Sequence, residues 1–173
     1  MIILGIDPGS RLTGYGLIRL EGNQTYYLES GCLKITADNV AMRLQQIAEG
    51  IKEVIMRYQP EEAAIEQIFM HQNPNSALKL GQARGAAMAA LTMPVVEYTA
   101  RQVKQAVVGY GAAKKEQIQH MVTRLLNIQQ VLQADAADAL AVALCHAHSR
   151  SGLIKLGVKA TRKKRSSWRD FKI

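Results

Sequence analysis

Along this chain the apolar residues switch between two spacings, and each switch marks a change of predicted element. Ile2–Ile6 is a short apolar run that stops at Asp7-Pro8-Gly9-Ser10, as a buried strand does on entering a tight turn. Thr13–Leu20 alternates well enough for a second strand, Glu21-Gly22-Asn23 is a turn, and Thr25–Ile35 reads as a third strand. From Val40 to Tyr58 the period lengthens. Leu44, Ile47, Ile51, Val54, Ile55 and Tyr58 recur three and four residues apart, which gives one apolar face of a helix. Asp38 or Asn39 is available to cap its start, and Pro60 lies just past its end. Ala63–Glu66 is a short strand, Gln67–Pro74 a connecting loop, Ser76–Leu91 an alanine-rich helix and Val95–Tyr98 a fifth strand. Arg101–Val107, Lys114–Leu126 and Asp135–His148 complete the set as helices.

The resulting order, β-β-β-α-β-α-β-α-α-α, is an antiparallel meander followed by crossover units. It predicts an α/β fold with a mixed five-stranded sheet flanked by helices, the ribonuclease H-like arrangement. No repeat or internal linker interrupts it.

Composition narrows the picture in two places. With 48% hydrophobic and 21% charged residues the chain has ordinary globular usage, and no stretch nears the roughly 18 apolar residues of a membrane span. The opening residues lack the basic region of a signal peptide, so a cytoplasmic location with no membrane role is expected. Cys32 and Cys145 fall in different elements, with neither metal-site spacing nor a disulfide framework, and are expected to be reduced and buried. The second place is charge. Residues 149–173 hold nine of the 22 Lys/Arg but one of the 14 acids, leaving 13 of each in the body. The net +8 therefore belongs to a C-terminal tail. The chain divides into a ribonuclease H-like body, 1–148, and a basic, poorly ordered tail, 149–173, which either grips nucleic acid by releasing counterions or simply solvates the terminus.

Acids stand where a core would not want them. Asp7 and Glu66 each end an apolar strand, and Asp135 and Asp138 interrupt an apolar helix start at a spacing that puts both on one helical face. If strands one and four are neighbours, Asp7 and Glu66 approach each other and the last helix lays Asp135 and Asp138 across them. Four hard oxygen ligands suit Mg²⁺ or Mn²⁺ rather than zinc. Two such ions could activate a water on one side of a phosphodiester and stabilise the leaving oxygen on the other. Plainer readings exist: Asp7 before Pro-Gly as a turn residue, Asp135 as a helix N-cap. Glu66 and Asp138 resist such readings, because a lone buried carboxylate is costly.

The segments GIDPGSRLTGYG (5–16), AIEQIFM (64–70), SALKLGQARG (76–85), YTARQVKQAVVG (98–109) and QADAADALAVA (133–143) resemble, in order, the blocks of the RuvC family of Holliday junction resolvases. The resemblance implies a divalent-metal-dependent crossover junction endodeoxyribonuclease that resolves four-way DNA junctions by paired symmetric nicks. It implies Asp7, Glu66, Asp135 and Asp138 as catalytic metal ligands, holding Mg²⁺ at two ions per site with Mn²⁺ able to substitute. Lys104 and Lys115 are implied as basic residues near the scissile phosphate, and Phe69 as an aromatic that stacks on bases at the crossover. It further implies a homodimer, and work beside a branch-migration complex of the RuvA and RuvB type. Without the resemblance, Phe69 reads as a core residue and the two lysines as surface charges. Gly81 and Gly85 offer a flat strip on the second helix, either for a partner subunit or for packing on the sheet. The four histidines have no convincing ligand spacing.

Rival readings share parts of this pattern. An actin- or sugar-kinase-like nucleotide binder fits the Asp7-Pro8-Gly9 turn, but needs a second phosphate loop and domain for which 173 residues leave no room. A ribonuclease acting on RNA–DNA hybrids would use the same carboxylates. A junction-binding module without catalysis would need the acids to be structural.

Overall fold

The structure, a computed structural model, describes residues 1–68 and 74–155, with side chains to 152. Phe69 and most of the basic tail lie outside the described residues. Five strands, β1 (Ile2–Asp7), β2 (Leu12–Glu21), β3 (Gln24–Lys34), β4 (Glu62–Glu66) and β5 (Val95–Tyr98), form one sheet in the order β3-β2-β1-β4-β5. The first three are antiparallel, and β1–β4 and β4–β5 are parallel. The helices are α1 (Val40–Tyr58), α2 (Pro74–Ala89), α3 (Ala100–Val108), α4 (Lys115–Leu125) and α5 (Ala134–Lys155). This is the mixed five-stranded, ribonuclease H-like architecture expected from the element order.

Local chemistry sets most boundaries. Asn39, not Asp38, caps α1, its side chain accepting from the Met42 amide at 2.8 Å. Thr99 and Gln102 form a capping box on α3. Gly22, at φ +60°, makes the two-residue turn between β2 and β3.

The sheet separates two cores. On one face Leu4, Ile6 and Leu17 pack with Ile47 and Ile51 of α1 and with Ala83 and Ala87 of α2. On the other, Ile3, Ile18 and Ala64 meet α3, α4 and α5. The expected helix 135–148 continues to Lys155, so the change in charge near Ser149 is not a change in secondary structure. From Ala136 to Ala147 α5 is almost wholly buried, which explains its apolar character on every side. Its backbone sits directly on glycines of the sheet. A Cβ on Gly5 would lie 2.1 Å from the Ala139 carbonyl oxygen, and one on Gly14 at 2.1 Å from that of Asp135. Only bare backbone allows a helix this close to β1 and β2. Cys145 is buried and Cys32, expected buried, is half-buried. Both are free thiols.

Candidate active site

The close seating of α5 decides where its acids go. β1 and β4 are parallel neighbours in the register Ile6 to Ile65, so Asp7 and Glu66 emerge side by side at the carboxyl ends of their strands. Gly14 pairs with Asp7 across β1–β2, and Asp135 rests on Gly14. One turn on, Asp138 points the same way. Carboxylate oxygens of Asp7, Asp135 and Asp138 come within 4.8 Å of one another, the one such cluster among the described residues. Glu66 stands outside that trio but beside it. Asp135 lies within the first turn of α5 rather than at its cap, so the capping reading of that residue does not hold.

Among the described residues cations are few by comparison. Lys115 Nζ lies 2.7 Å from Asp138 Oδ2 while its own side chain stays half-exposed. Lys104 shares a cleft of about 270 Å³ with Glu66, Lys115 and Asp138. A second cleft of about 230 Å³, on the other side of Glu66, is walled by Asp7, Pro8, Gln67, Ile68 and Leu80. The acids thus sit between two open troughs.

The electrostatics follow. Burial pushes the Asp7 carboxyl up to about 7 from an ordinary 3.8, and the charges of Glu66, Asp138 and Asp135 push the same way against Lys115. Burial also raises Glu66, as does Asp138, while Lys104 and Lys115 lower it. The Lys115 ammonium is held above its ordinary value, first by its hydrogen bond to Asp138. The cluster therefore holds more negative charge than its own cations offset. All-oxygen donors with this imbalance fit hard divalent cations, and His or Cys ligands are absent from the cluster.

Some supports are invisible in the sequence. Arg84 of α2 donates from Nε to the Glu66 carbonyl oxygen at 3.1 Å and pairs with Glu97 of β5, fixing the end of β4. Nothing in the spacing of an alanine-rich helix distinguishes it from a solvated charge. Thr13, fully buried, donates to the Gly9 carbonyl at 2.8 Å and stiffens the turn after Asp7. At the far end of α5, His146 bridges Tyr98 (2.9 Å) and Glu62 (2.8 Å). Gly81 and Gly85 do not pack on the sheet, since a Cβ on either would meet nothing within 4 Å, and the sheet-facing residues are Ala83 and Ala87.

Comparison with known proteins adds a second line. The family profile described as crossover junction endodeoxyribonuclease RuvC matches residues 3–146. A crossover junction endodeoxyribonuclease RuvC of Shewanella sp. (strain W3-18-1) is 58% identical over 163 residues, covering 92% of this chain and 94% of its own length. One of Pseudoalteromonas atlantica is 59% identical over 158 residues, covering 90% and 91%. Among solved structures, Thermus thermophilus RuvC in complex with Holliday junction substrate superposes with a TM-score of 0.81 at 33% identity, covering 88% of this chain and 96% of that one. The yeast mitochondrial Holliday junction resolvase Ydc2 shares the fold at a TM-score of 0.65 and 11% identity, covering 88% and 82%.

Proposed function

The chain belongs to the RuvC family of crossover junction endodeoxyribonucleases, and on that premise we propose that Asp7, Glu66, Asp135 and Asp138 form its catalytic centre. The activity is that of a DNA endonuclease acting on Holliday junctions, and it depends on a divalent metal. Family membership leaves no support for the RNA–DNA hybrid and binding-only readings. The observation that carries the site assignment is the convergence of three carboxylates within 4.8 Å, with Glu66 beside them and too few cations to neutralise them.

The four acids would hold two Mg²⁺ ions, with Mn²⁺ able to substitute. Bound there, the ions supply an activated water and neutralise charge on the leaving oxygen. The chain's own residues do the rest. β1, β4 and α5 fix the carboxylates before substrate arrives, so no reorganisation is needed at the reaction. Lys115, tethered to Asp138, and Lys104, across the same cleft, face the developing charge on the phosphate. In-line attack breaks the bond from phosphorus to the 3′ oxygen and leaves 5′-phosphate and 3′-hydroxyl ends. Phe69, three residues beyond Glu66, is assigned to stacking on unpaired bases at the crossover, a contact of about 1–3 kcal/mol.

Symmetric nicking requires two sites, which supports a homodimer. The open Gly81–Gly85 strip and Leu78, 63% exposed, make α2 the face offered to the partner. Work alongside RuvA and RuvB type proteins, and a cytoplasmic location, accord with an action on recombining DNA. No described helix is long and apolar enough to cross a membrane. Residues 149–173 would add grip on a DNA arm, apart from Arg150, which is paired with Glu62 at 2.6 Å.

The deciding experiment incubates a synthetic mobile four-way junction with Mg²⁺ and either the wild type or Asp7→Asn. Paired nicks by the wild type, lost in the variant while junction binding persists, are expected. Nicking that survives Asp7→Asn would overturn the site assignment.

A further inference from the structure

The two troughs that flank the acid cluster are lined by different chemistry. The one toward α3 and α4 carries Lys104 and Lys115. The other, of about 230 Å³, has no cation among its lining residues. Its walls include Pro8, Ile68 and Leu80, and its polar side chains are those of Asp7, Glu66 and Gln67. We propose that this second trough receives one nucleobase beside the cleaved bond and that Gln67 reads the edge of that base, which makes Gln67 a specificity-determining residue for cleavage.

Charge divides the nucleotide between the troughs. A phosphodiester is anionic, so two carboxylates without a lining cation repel it, and the backbone belongs on the lysine side. The neutral part of the nucleotide is left for the other side. Apolar walls with one or two placed polar groups suit the flat faces of a base. The carboxylates can only accept hydrogen bonds, whereas the Gln67 carboxamide both donates and accepts, as reading a base edge requires. The trough is also stiff. The backbone amide of Gln67 donates to the Tyr98 carbonyl at 2.8 Å, and Arg84 Nε donates to the Glu66 carbonyl at 3.1 Å. On the opposite wall the Thr13 hydroxyl donates to the Gly9 carbonyl at 2.8 Å and accepts from the Gly9 amide at 3.3 Å, which fixes the turn that carries Pro8. An amide whose backbone is fixed before the substrate arrives can reject a mismatched edge, where a mobile one would adapt to it. Bases at a four-way crossover leave their stacks at low cost, so one is available to enter.

The role of Gln67 rests on the junction-cleaving reading, and one experiment separates the two. Single-turnover cleavage with Mg²⁺ is measured on a panel of four-way junctions that differ by one base pair at a time on either side of the cleaved bond. Wild type is compared with Gln67→Met, which keeps the length of the side chain but not its donor or acceptor. Wild-type rates should spread about 5- to 150-fold with the base at one position, the range of one good amide–base contact. Gln67→Met should collapse that spread and leave the Mg²⁺ concentration for half-maximal cleavage where it was. If circular dichroism shows that Gln67→Met does not fold, Leu80→Phe decides, since it crowds the trough without altering the amide and should narrow the same spread. A wild type that cleaves every member of the panel equally overturns the base-reading role, and so does a folded variant with the wild-type spread. A loss of rate that is uniform across sequences also overturns it, because Gln67 is then only a support for the acids. A wild type that nicks no four-way junction overturns the functional reading instead.

Discussion

Carboxylates gather where each end of α5 meets the sheet, yet the two ends are built for opposite purposes. At the C-terminal end Glu62 is matched: His146 Nε2 lies 2.8 Å from one oxygen, Arg150 Nη1 lies 2.6 Å from the other, and Tyr98 closes the chain at 2.9 Å. At the N-terminal end Asp7, Glu66, Asp135 and Asp138 share, among the described residues, one ion pair, to Lys115. The first cluster is complete as folded. The second is short of positive charge, and Asp7 is pushed up to about 7, first by burial and then by the neighbouring carboxylates. An interior polar group satisfied by its own chain contributes stability, whereas one left wanting marks where something external binds.

That contrast can be broken at either end. The largest effect is expected from Asp7→Asn, which should cut Mg²⁺-dependent junction cleavage on the order of 10³-fold or more, measured as single-turnover rates. The same change should raise the melting temperature of the metal-free protein, because it removes repulsion. A variant both inactive and less stable would mean that Asp7 is a structural acid. Glu62→Gln, at the matched end, should do the reverse and destabilise by about 1–3 kcal/mol in urea unfolding, with metal dependence of cleavage unchanged. A stabilised Glu62→Gln protein would erase the distinction between the ends.

A smaller effect concerns pH. The folded metal-free protein holds a proton on Asp7 that the unfolded chain releases near 3.8, so between about 4 and 7 the folded state binds more protons. Its stability should therefore fall as pH rises through that window, and Asp7→Asn should flatten the fall. Mg²⁺ should restore stability most at the upper end. A metal-free stability that rises from pH 4 to 7 in the wild type relative to Asp7→Asn would contradict the charge shortfall. The smallest effect is expected of Arg84→Lys, which keeps the charge but loses the fork that joins the Glu66 carbonyl to Glu97. Cleavage at saturating junction should drop roughly tenfold, in the range of supports one layer behind a metal ligand, with little change in junction affinity. A loss confined to affinity would place Arg84 in DNA contact instead.

Much of the fold and of the site is legible in the order of residues. Spacing alone yields the five strands and all five helices, because period-two and period-3.6 patterns each bury one face. The four acids stand out because a charge at the end of an apolar run has few inert explanations. The extent of α5 does not emerge, since a helix buried on all sides has no amphipathic pattern to show where it ends. Arg84, Thr13 and the Tyr98–His146–Glu62 chain are also hidden. Each depends on a partner between four and 84 positions away, and sequence spacing carries no signal for such pairs.

The sequence by itself therefore determined the elements, the family and the residue types that carry the chemistry. Only the tertiary structure decided which acids converge, which glycines make that possible and which cations stay unpaired. The physical reason is that periodicity reports burial against an unspecified partner. The 4.8 Å gathering of Asp7, Asp135 and Asp138 instead depends on α5 lying on the bare backbone of Gly5 and Gly14, a distance set by packing between segments far apart in the chain.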